Sequence, residues 1–335
     1  MNSTLVKIIV ALAILGGVGY FMYNKSKDKN STLNTVANTV AVSTAAAEDY
    51  SDYTLVPADE LYDKSPAADS MLAELRQRYT NYFDSLAADT KSAGVKMIFC
   101  WITTEGERKM HSQEKAYIQK LCSDKGIEFV DLVPLIKNKT AQEITFMPKD
   151  GHFNEYGCKL MADKMAEYIK KYTAVKSTKT YAEKPALFGD LEPNQKDNIL
   201  DGGKDLPYKI TTNSQGLRMN YDLAPQKTKQ RILVMGDSGF YFPFLDNDKT
   251  GTGQLQAMFP DKEIINAAVW GYSYYDHWLL WKERLKYSEP DVLFLQSSGA
   301  DIVKQFFTHR LKYSRQKELI VPTESEKNYY KTLKK

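Results

Sequence analysis

Three polar residues in this sequence have the types needed for nucleophilic acyl chemistry. Asp150 and His152 stand two positions apart in the stretch MPKDGHFNEYG, and Ser238 lies in the stretch MGDSGF. A serine hydroxyl becomes nucleophilic at neutral pH when an imidazole takes its proton, and a carboxylate holds that imidazole in the required tautomer. These residues therefore form a candidate triad, although 86 positions separate His152 from Ser238.

The elements that must position this triad are strands that alternate with helices. Five short apolar runs are separated by segments with helical spacing, which predicts a parallel sheet with crossover connections. The serine turn and the Asp/His loop each follow one of these runs, so both are expected at the carboxyl edge of the sheet, where such folds place active sites. The predicted fold class is α/β, a three-layer α/β/α domain with a five-stranded parallel sheet. Its strands are VKMIFCWI at 95–102, IEFVDLV at 127–133, RILVMG at 231–236, EIINAAV at 263–269 and DVLFLQS at 291–297.

Composition excludes several other classes of protein. The 335 residues carry 45 basic and 42 acidic side chains, and a net charge of +3 is too close to balance for a nucleic-acid surface. Cys100, Cys122 and Cys158 contain no CxxC pair, so they indicate neither a disulfide framework nor a zinc site. We expect three buried thiols, no metal site and no cofactor.

The amino terminus departs from the globular pattern. Residues 8–23 contain no charge and are flanked by lysines, which predicts a retained transmembrane helix. A cleaved signal peptide is the alternative, but the nearest small-residue run, STAAAE, lies about twenty residues beyond the apolar segment. The flanking lysines are too evenly divided to fix the orientation.

The predicted division of the chain is an anchor at 1–24, a flexible linker at 25–54 and one domain at 55–335. The domain consists of one half at 55–172, an irregular connection at 173–229 and a second half at 230–335.

Three motifs resemble those of the SGNH, or GDSL, hydrolase superfamily. They are GDS at 236–238, NAAVWGYS at 266–273 and DGHFNEYG at 150–157. In that superfamily the serine block opens the domain and the Asp/His block closes it, whereas this chain has the reverse order. The chain therefore resembles a circularly permuted form, and in particular the branch of alginate O-acetyltransferases and related enzymes. Its GDS differs from the Gly-Thr-Ser that is typical of that branch.

The resemblance implies a function, partners and a location. It implies an extracytoplasmic O-acetyltransferase that acts on a polysaccharide or cell-envelope glycan through a serine acyl-enzyme. A membrane-bound O-acyltransferase would supply the acetyl group, and the anchored domain would face the periplasm or the cell exterior. Two alternatives stay open: a carbohydrate acetylesterase of the SGNH type, and a non-catalytic anchored scaffold that binds glycan.

The resemblance also implies an oxyanion hole, one side-chain donor of which is missing from this chain. Three alternatives stay open: Ser297 or Ser298 substitutes, the backbone N–H groups near Gly239 and Gly271 form the hole, or activity is weak. The superfamily takes one donor from an asparagine in a third block, and the corresponding position here is Ala300. Asn154 is predicted separately as the N-cap of the following helix. Part of the aromatic run at 270–278 is expected to pack in the core, and part could form a surface on which sugars stack. Arg218 has two alternative roles, one structural and one in binding an anionic polymer. The candidate oxyanion or substrate residues are Gly239, Gly271, Ser298, Asn154, Trp270, Tyr274 and Arg218.

Overall fold

A computed structural model describes residues 66–102, 109–172, 181, 183–297, 302 and 312. The predicted anchor, the linker and the end of the chain beyond 312 lie outside these residues, as does Ser298. No helix within the described ranges is both long and apolar enough to cross a membrane.

All five predicted strands form and share one parallel sheet. The sheet order is β2-β1-β7-β5-β6, so the last strand in sequence lies in the middle. It pairs with a strand of each half, because Leu295 is opposite Phe99 on one side and Leu293 is opposite Leu233 on the other. The strands of the sheet are β1 (Lys96–Trp101), β2 (Glu128–Asp131), β5 (Arg231–Met235), β6 (Glu263–Asn266) and β7 (Val292–Ser297).

Helices cover both faces of this sheet. Alternate side chains of β1 enter opposite layers: Phe99 lies in one apolar cluster, and Ile98 lies in the other. Burial on both faces explains why these strands read as continuous apolar runs. Helix α1 packs with α7 in the first layer, and α4 packs with α6 in the second. The helices are α1 (Pro66–Ser92), α2 (Lys109–Asp124), α3 (Ala141–Ile144), α4 (Glu155–Lys171), α5 (Ser238–Tyr241), α6 (Gly251–Met258) and α7 (Tyr274–Glu283).

The connection between the halves contains a hairpin that the sequence did not predict. Strands β3 (Asn198–Leu200) and β4 (Tyr208–Ile210) pair antiparallel. Their loop contacts the Asp/His loop, because Lys149 Nζ lies 2.8 Å from an Asp205 carboxylate oxygen. Gly202 in the same loop has φ +56°, and a Cβ there would lie 2.9 Å from the Phe244 ring. Glycine thus permits both the left-handed backbone and the close approach.

Candidate active site

The loop that carries Asp150 and His152 is fixed at both of its ends. The Phe146 N–H donates to the His152 carbonyl at 3.0 Å. At the start of α4, the Asn154 side-chain oxygen accepts from the Gly157 N–H at 3.0 Å, so the predicted N-cap is confirmed. The Asn154 amide nitrogen donates to the carbonyls of Glu143 and Thr145. Asn154 therefore shapes the loop, and the prediction that it contacts substrate is not supported because its amide is already bonded.

Asp150 and His152 form the bonded pair that the motif predicts. Asp150 Oδ1 lies 2.5 Å from His152 Nδ1 and also accepts the His152 backbone N–H at 2.8 Å. Burial raises the pKa of Asp150, but the hydrogen bond and charge of His152, together with the charge of Lys204, outweigh burial and leave this pKa below its usual value. Asp150 is thus a carboxylate at neutral pH. Because Nδ1 bonds to it, Nε2 is the ring nitrogen that remains for proton transfer.

Ser238 is the first residue of α5 in a tight turn after β5. Asp237 caps the helix, and its carboxylate accepts the Gly239 N–H at 2.8 Å. Below the turn, a Cβ on Gly236 or Gly239 would lie 2.4 or 2.7 Å from side-chain atoms of Gln296. Only glycine permits such close packing at these two positions. The serine itself is half-buried, in the position expected for a nucleophile that must meet its substrate.

Trp270 connects the histidine to the serine turn. The preceding residue, Val269, donates its N–H to the Gly236 carbonyl at 3.1 Å. The Trp270 ring centroid lies 5.5 Å from that of His152 and 6.3 Å from that of Tyr241, which is the last residue of α5. Within the described residues no hydrogen bond joins the Ser238 hydroxyl to His152. Such bonds are often long before substrate binds.

The backbone donors near Ser238 differ from those that were expected. The Gly239 N–H is bonded to the Asp237 carboxylate, so it is not available to an oxyanion as was expected. The Ser238 N–H donates to no group in the part of the chain that is described. Gly271 lies in a turn with φ +80°, next to Trp270. Ser298 and Ala300 fall outside the described residues.

Tyr274 does not belong to the site. Its side chain is buried, and its ring lies 4.4 Å from Tyr79 and 6.4 Å from Phe83 on α1. The prediction that it contacts substrate was wrong because the ring faces α1 and the core. Trp270, four residues earlier, is instead 43% exposed beside His152.

Arg218 is structural, so the prediction that it could bind an anionic polymer is not supported. Its guanidinium is buried and donates to the carbonyls of Tyr241, Phe242 and Leu245, while Nε donates to the Asn247 side chain at 3.0 Å. These carbonyls belong to the irregular segment after α5. Arg218 therefore holds the segment that carries Phe244, whose ring lies 6.0 Å from that of His152.

Two polar residues lie beneath the serine turn: His277, which was expected to serve packing although it could approach the site, and Gln296, which sequence reasoning missed. Burial lowers the pKa of His277 to about 4, against the opposing effects of Asp237 and the Gly236 carbonyl. This ring is therefore neutral at pH 7. Gln296, at the end of β7, accepts the Asp237 N–H at 3.1 Å. The sequence signal for Gln296 was a polar residue directly after the apolar run DVLFL.

The cysteines are buried thiols, as predicted. Burial raises the pKa of Cys122 to about 12 and that of Cys100 and Cys158 further still, so none of them is a reactive thiolate at neutral pH. Among the described residues, no group of three or more His, Cys, Asp or Glu side chains is placed to hold a metal ion.

Comparison with known proteins gives distant structural similarity. No protein-family model matches the chain, and no curated protein matches it. The fold is similar to the O-acetyltransferase domain of Pseudomonas putida AlgJ, with 12% identity, a TM-score of 0.44, and coverage of 70% of this chain and 86% of that one. It is also similar to Bacillus cereus PatB1, with 13% identity, a TM-score of 0.37, and coverage of 69% and 91%. Because both TM-scores are below 0.5, the function proposed next rests on the side chains of this chain.

Proposed function

We propose that this protein is a serine-dependent O-acetyltransferase that acetylates hydroxyl groups of a glycan outside the cytoplasm. One observation carries the proposal: the exposed Trp270 ring lies beside His152 of the bonded Asp150–His152 pair and beside Tyr241 of the helix that Ser238 begins. This arrangement supplies a base, its orienting carboxylate and a nucleophile at the edge where parallel sheets bind their ligands.

The first half of the reaction forms the acyl-enzyme. Ser238 Oγ attacks the acetyl carbonyl carbon of the donor while its proton passes to His152 Nε2, and Asp150 stabilises the imidazolium. The Ser238 N–H is a backbone donor for the oxyanion that develops. Collapse of the tetrahedral intermediate breaks the bond to the leaving group. That group takes the proton from His152, and acetyl-Ser238 remains.

The second half transfers the acetyl group to the acceptor. A glycan hydroxyl gives its proton to His152 as its oxygen attacks the acetyl carbon, and Ser238 Oγ leaves and regains the proton. Water in place of the glycan would give an esterase. Trp270, which is 43% exposed beside His152, offers an apolar ring surface that favours a bound sugar over water, and the buried Phe244 packs against the same imidazole. A bound hydroxyl also has an effective concentration far above that of a chance encounter.

The location and the partners complete the proposal. The apolar segment at 8–23 would anchor the chain in the membrane, with the domain facing the periplasm or the cell exterior. A membrane-bound O-acyltransferase would deliver the acetyl group, as the resemblance implies. A reporter fused after Lys335 that is active only in the cytoplasm should be silent. A bright signal would contradict this orientation and the choice of an exported acceptor.

The enzymatic proposal is tested by covalent labelling and by product analysis. A fluorophosphonate should label the wild type and a Ser85→Ala control, which removes an exposed hydroxyl on α1, but not Ser238→Ala. Absence of labelling in the wild type would favour the non-catalytic scaffold. With an aryl acetate donor and an oligosaccharide, acetylated sugar should form faster than free acetate. Rapid acetate release without any acetylated sugar would favour the esterase.

A further inference from the structure

A cavity of about 340 Å³ opens beside the Asp/His loop, which is the catalytic loop of the proposed reaction. That reaction does not use the cavity. Three separate parts of the chain line it: the start of α4 at Tyr156, the β3–β4 loop at Pro207, and the segment after α5 at Phe244. Small-molecule sites usually occupy roughly 300–1,000 Å³, so this volume suits one sugar unit and not a long segment of polymer.

The cavity lies next to residues that contact His152. Phe244 lines the cavity and also packs against the imidazole, with 6.0 Å between ring centroids. Phe146, another lining residue, lies 5.9 Å from Phe244 and donates its backbone N–H to the His152 carbonyl. A ligand in the cavity would therefore contact two rings that touch the catalytic loop.

The lining combines apolar ring faces with oxygen acceptors. Phe146, Phe244 and Pro207 provide apolar surface, and Tyr156 is 43% exposed. Glu155, the first residue of α4, brings a carboxylate to the same wall. A pyranose ring has this dual character, since its C–H faces pack on aromatic rings and its hydroxyls donate hydrogen bonds.

The charges of the cavity select among sugars. Glu155 and Asp246 place two carboxylates at its lining, against the single ammonium of Lys249. The Glu155 side chain makes no hydrogen bond or ion pair with any described residue. Asp246 accepts the Lys209 N–H at 2.7 Å and lies 3.9 Å from Lys249 Nζ. Lys249 offsets Asp246, and the Lys139 ammonium lies 5.4 Å from the Tyr156 ring centroid. The charge that opposes a uronic-acid carboxylate is therefore that of Glu155, whose oxygens accept from neutral hydroxyls.

We propose that this cavity is an acceptor subsite that holds one uncharged sugar unit of the glycan. The unit in the cavity would fix the chain so that a neighbouring unit presents its hydroxyl to His152 and the acyl-enzyme. The inference rests on the proposed function for its role, but sugar binding itself does not require catalysis. The binding test can therefore be made on a protein that lacks the nucleophile.

The test measures sugar binding to full-length Ser238→Ala protein by titration calorimetry. The probes are a tetrasaccharide of glucose and a tetrasaccharide of glucuronic acid with the same linkage. Glucose tetrasaccharide should bind, and adding Tyr156→Ala should weaken its binding about tenfold, which is the effect of losing one aromatic contact. Tyr221→Ala, which removes a tyrosine of similar exposure that does not line the cavity, should leave binding unchanged.

The outcomes separate this inference from the proposed function. Unchanged glucose tetrasaccharide binding after Tyr156→Ala, or no binding at all, would overturn the subsite. Tighter binding of the glucuronic acid probe would overturn the preference for an uncharged sugar. Adding Glu155→Gln should reduce the difference in binding affinity between the two tetrasaccharides. If fluorophosphonate fails to label the wild type while these binding results hold, the catalytic proposal alone is rejected.

Discussion

The side-chain oxygen of Gln296 accepts a hydrogen bond from the Asp237 N–H at 3.1 Å, and this bond joins the central strand β7 to the residue before Ser238. Because Oε1 accepts from that N–H, the amide orientation of Gln296 is fixed, and Nε2 cannot exchange places with Oε1. Nε2 is fully buried and has no acceptor among the residues that the structure describes. An unpaired buried donor costs about 1–3 kcal/mol, and such costs are found at functional sites.

The first prediction follows from this bond. Gln296→Met keeps the approximate size of the side chain but leaves the Asp237 N–H without an acceptor. We expect the fluorophosphonate labelling rate of Ser238 to fall about a hundredfold, since small displacements of a nucleophile have effects of that size. Gln77→Met, on the exposed face of α1, is the matched control and should label at the wild-type rate. Normal labelling of Gln296→Met would show that the turn does not depend on this side chain.

The second prediction is that Asp150, His152 and Ser238 act as a unit. Each single alanine substitution should lower turnover of an aryl acetate by about a thousandfold or more, and double substitutions should add little. Circular dichroism spectra would verify that the variants are folded. Wild-type turnover in His152→Ala would remove histidine from the mechanism.

The third prediction concerns stability between pH 6.5 and 4. The pKa of His277 falls from 6.5 to about 4 on folding, so its contribution is complete above pH 6.5 and is lost as the pH falls towards 4. In that window the unfolded chain gains a proton that the folded chain does not. The effect is on the order of 3 kcal/mol, because one pKa unit corresponds to about 1.4 kcal/mol.

Urea unfolding at several pH values measures this contribution. Between pH 6.5 and 4, the free energy of unfolding of His277→Gln should fall less steeply than that of the wild type, whatever the absolute stability of the variant. Equal slopes for the two proteins would contradict the prediction. The lowered pKa of Asp150 acts in a separate window, since its contribution is present above pH 3.8 and is lost below it.

The fourth prediction is that neither half of the domain folds alone. Residues 55–175 contain only β1 and β2 of the sheet, and residues 176–335 contain β7 without its neighbour β1. Separate expression should give insoluble or unfolded fragments, while 55–335 should melt cooperatively. A fragment 55–175 that melts cooperatively would contradict the permuted arrangement.

Sequence reasoning located the strands and the bonded Asp150–His152 pair because their signals are local. Apolar runs such as VKMIFCWI and the Asp-x-His spacing can be read without knowing what lies opposite. The position of β7 between β1 and β5 is a long-range property and could not be read in this way. The β3–β4 hairpin was missed because each strand has only three residues, too few to show alternation.

The misassigned side chains, Tyr274 and Arg218, have roles that residue type alone does not reveal. Tyr274 and Trp270 are both aromatic residues in one short run, and only packing decides which of them faces α1 and which remains exposed. Arg218 binds carbonyls in a segment where Phe242 and Phe244 have positive φ, of 54° and 65°. Left-handed backbone at phenylalanine cannot be anticipated from residue type.

The position of β7 also limits how early the sheet can form during synthesis. Its residues emerge about 190 positions after β1, which is roughly 10–40 s of translation at about 5–20 residues per second. Throughout that interval the inner edge of β1 has no strand to pair with. The sheet of a nascent chain with this topology therefore stays incomplete until β7 has been made. Passage through a membrane pore in an unfolded state is compatible with such a delay, whereas premature pairing of the open edge with another chain is its main hazard.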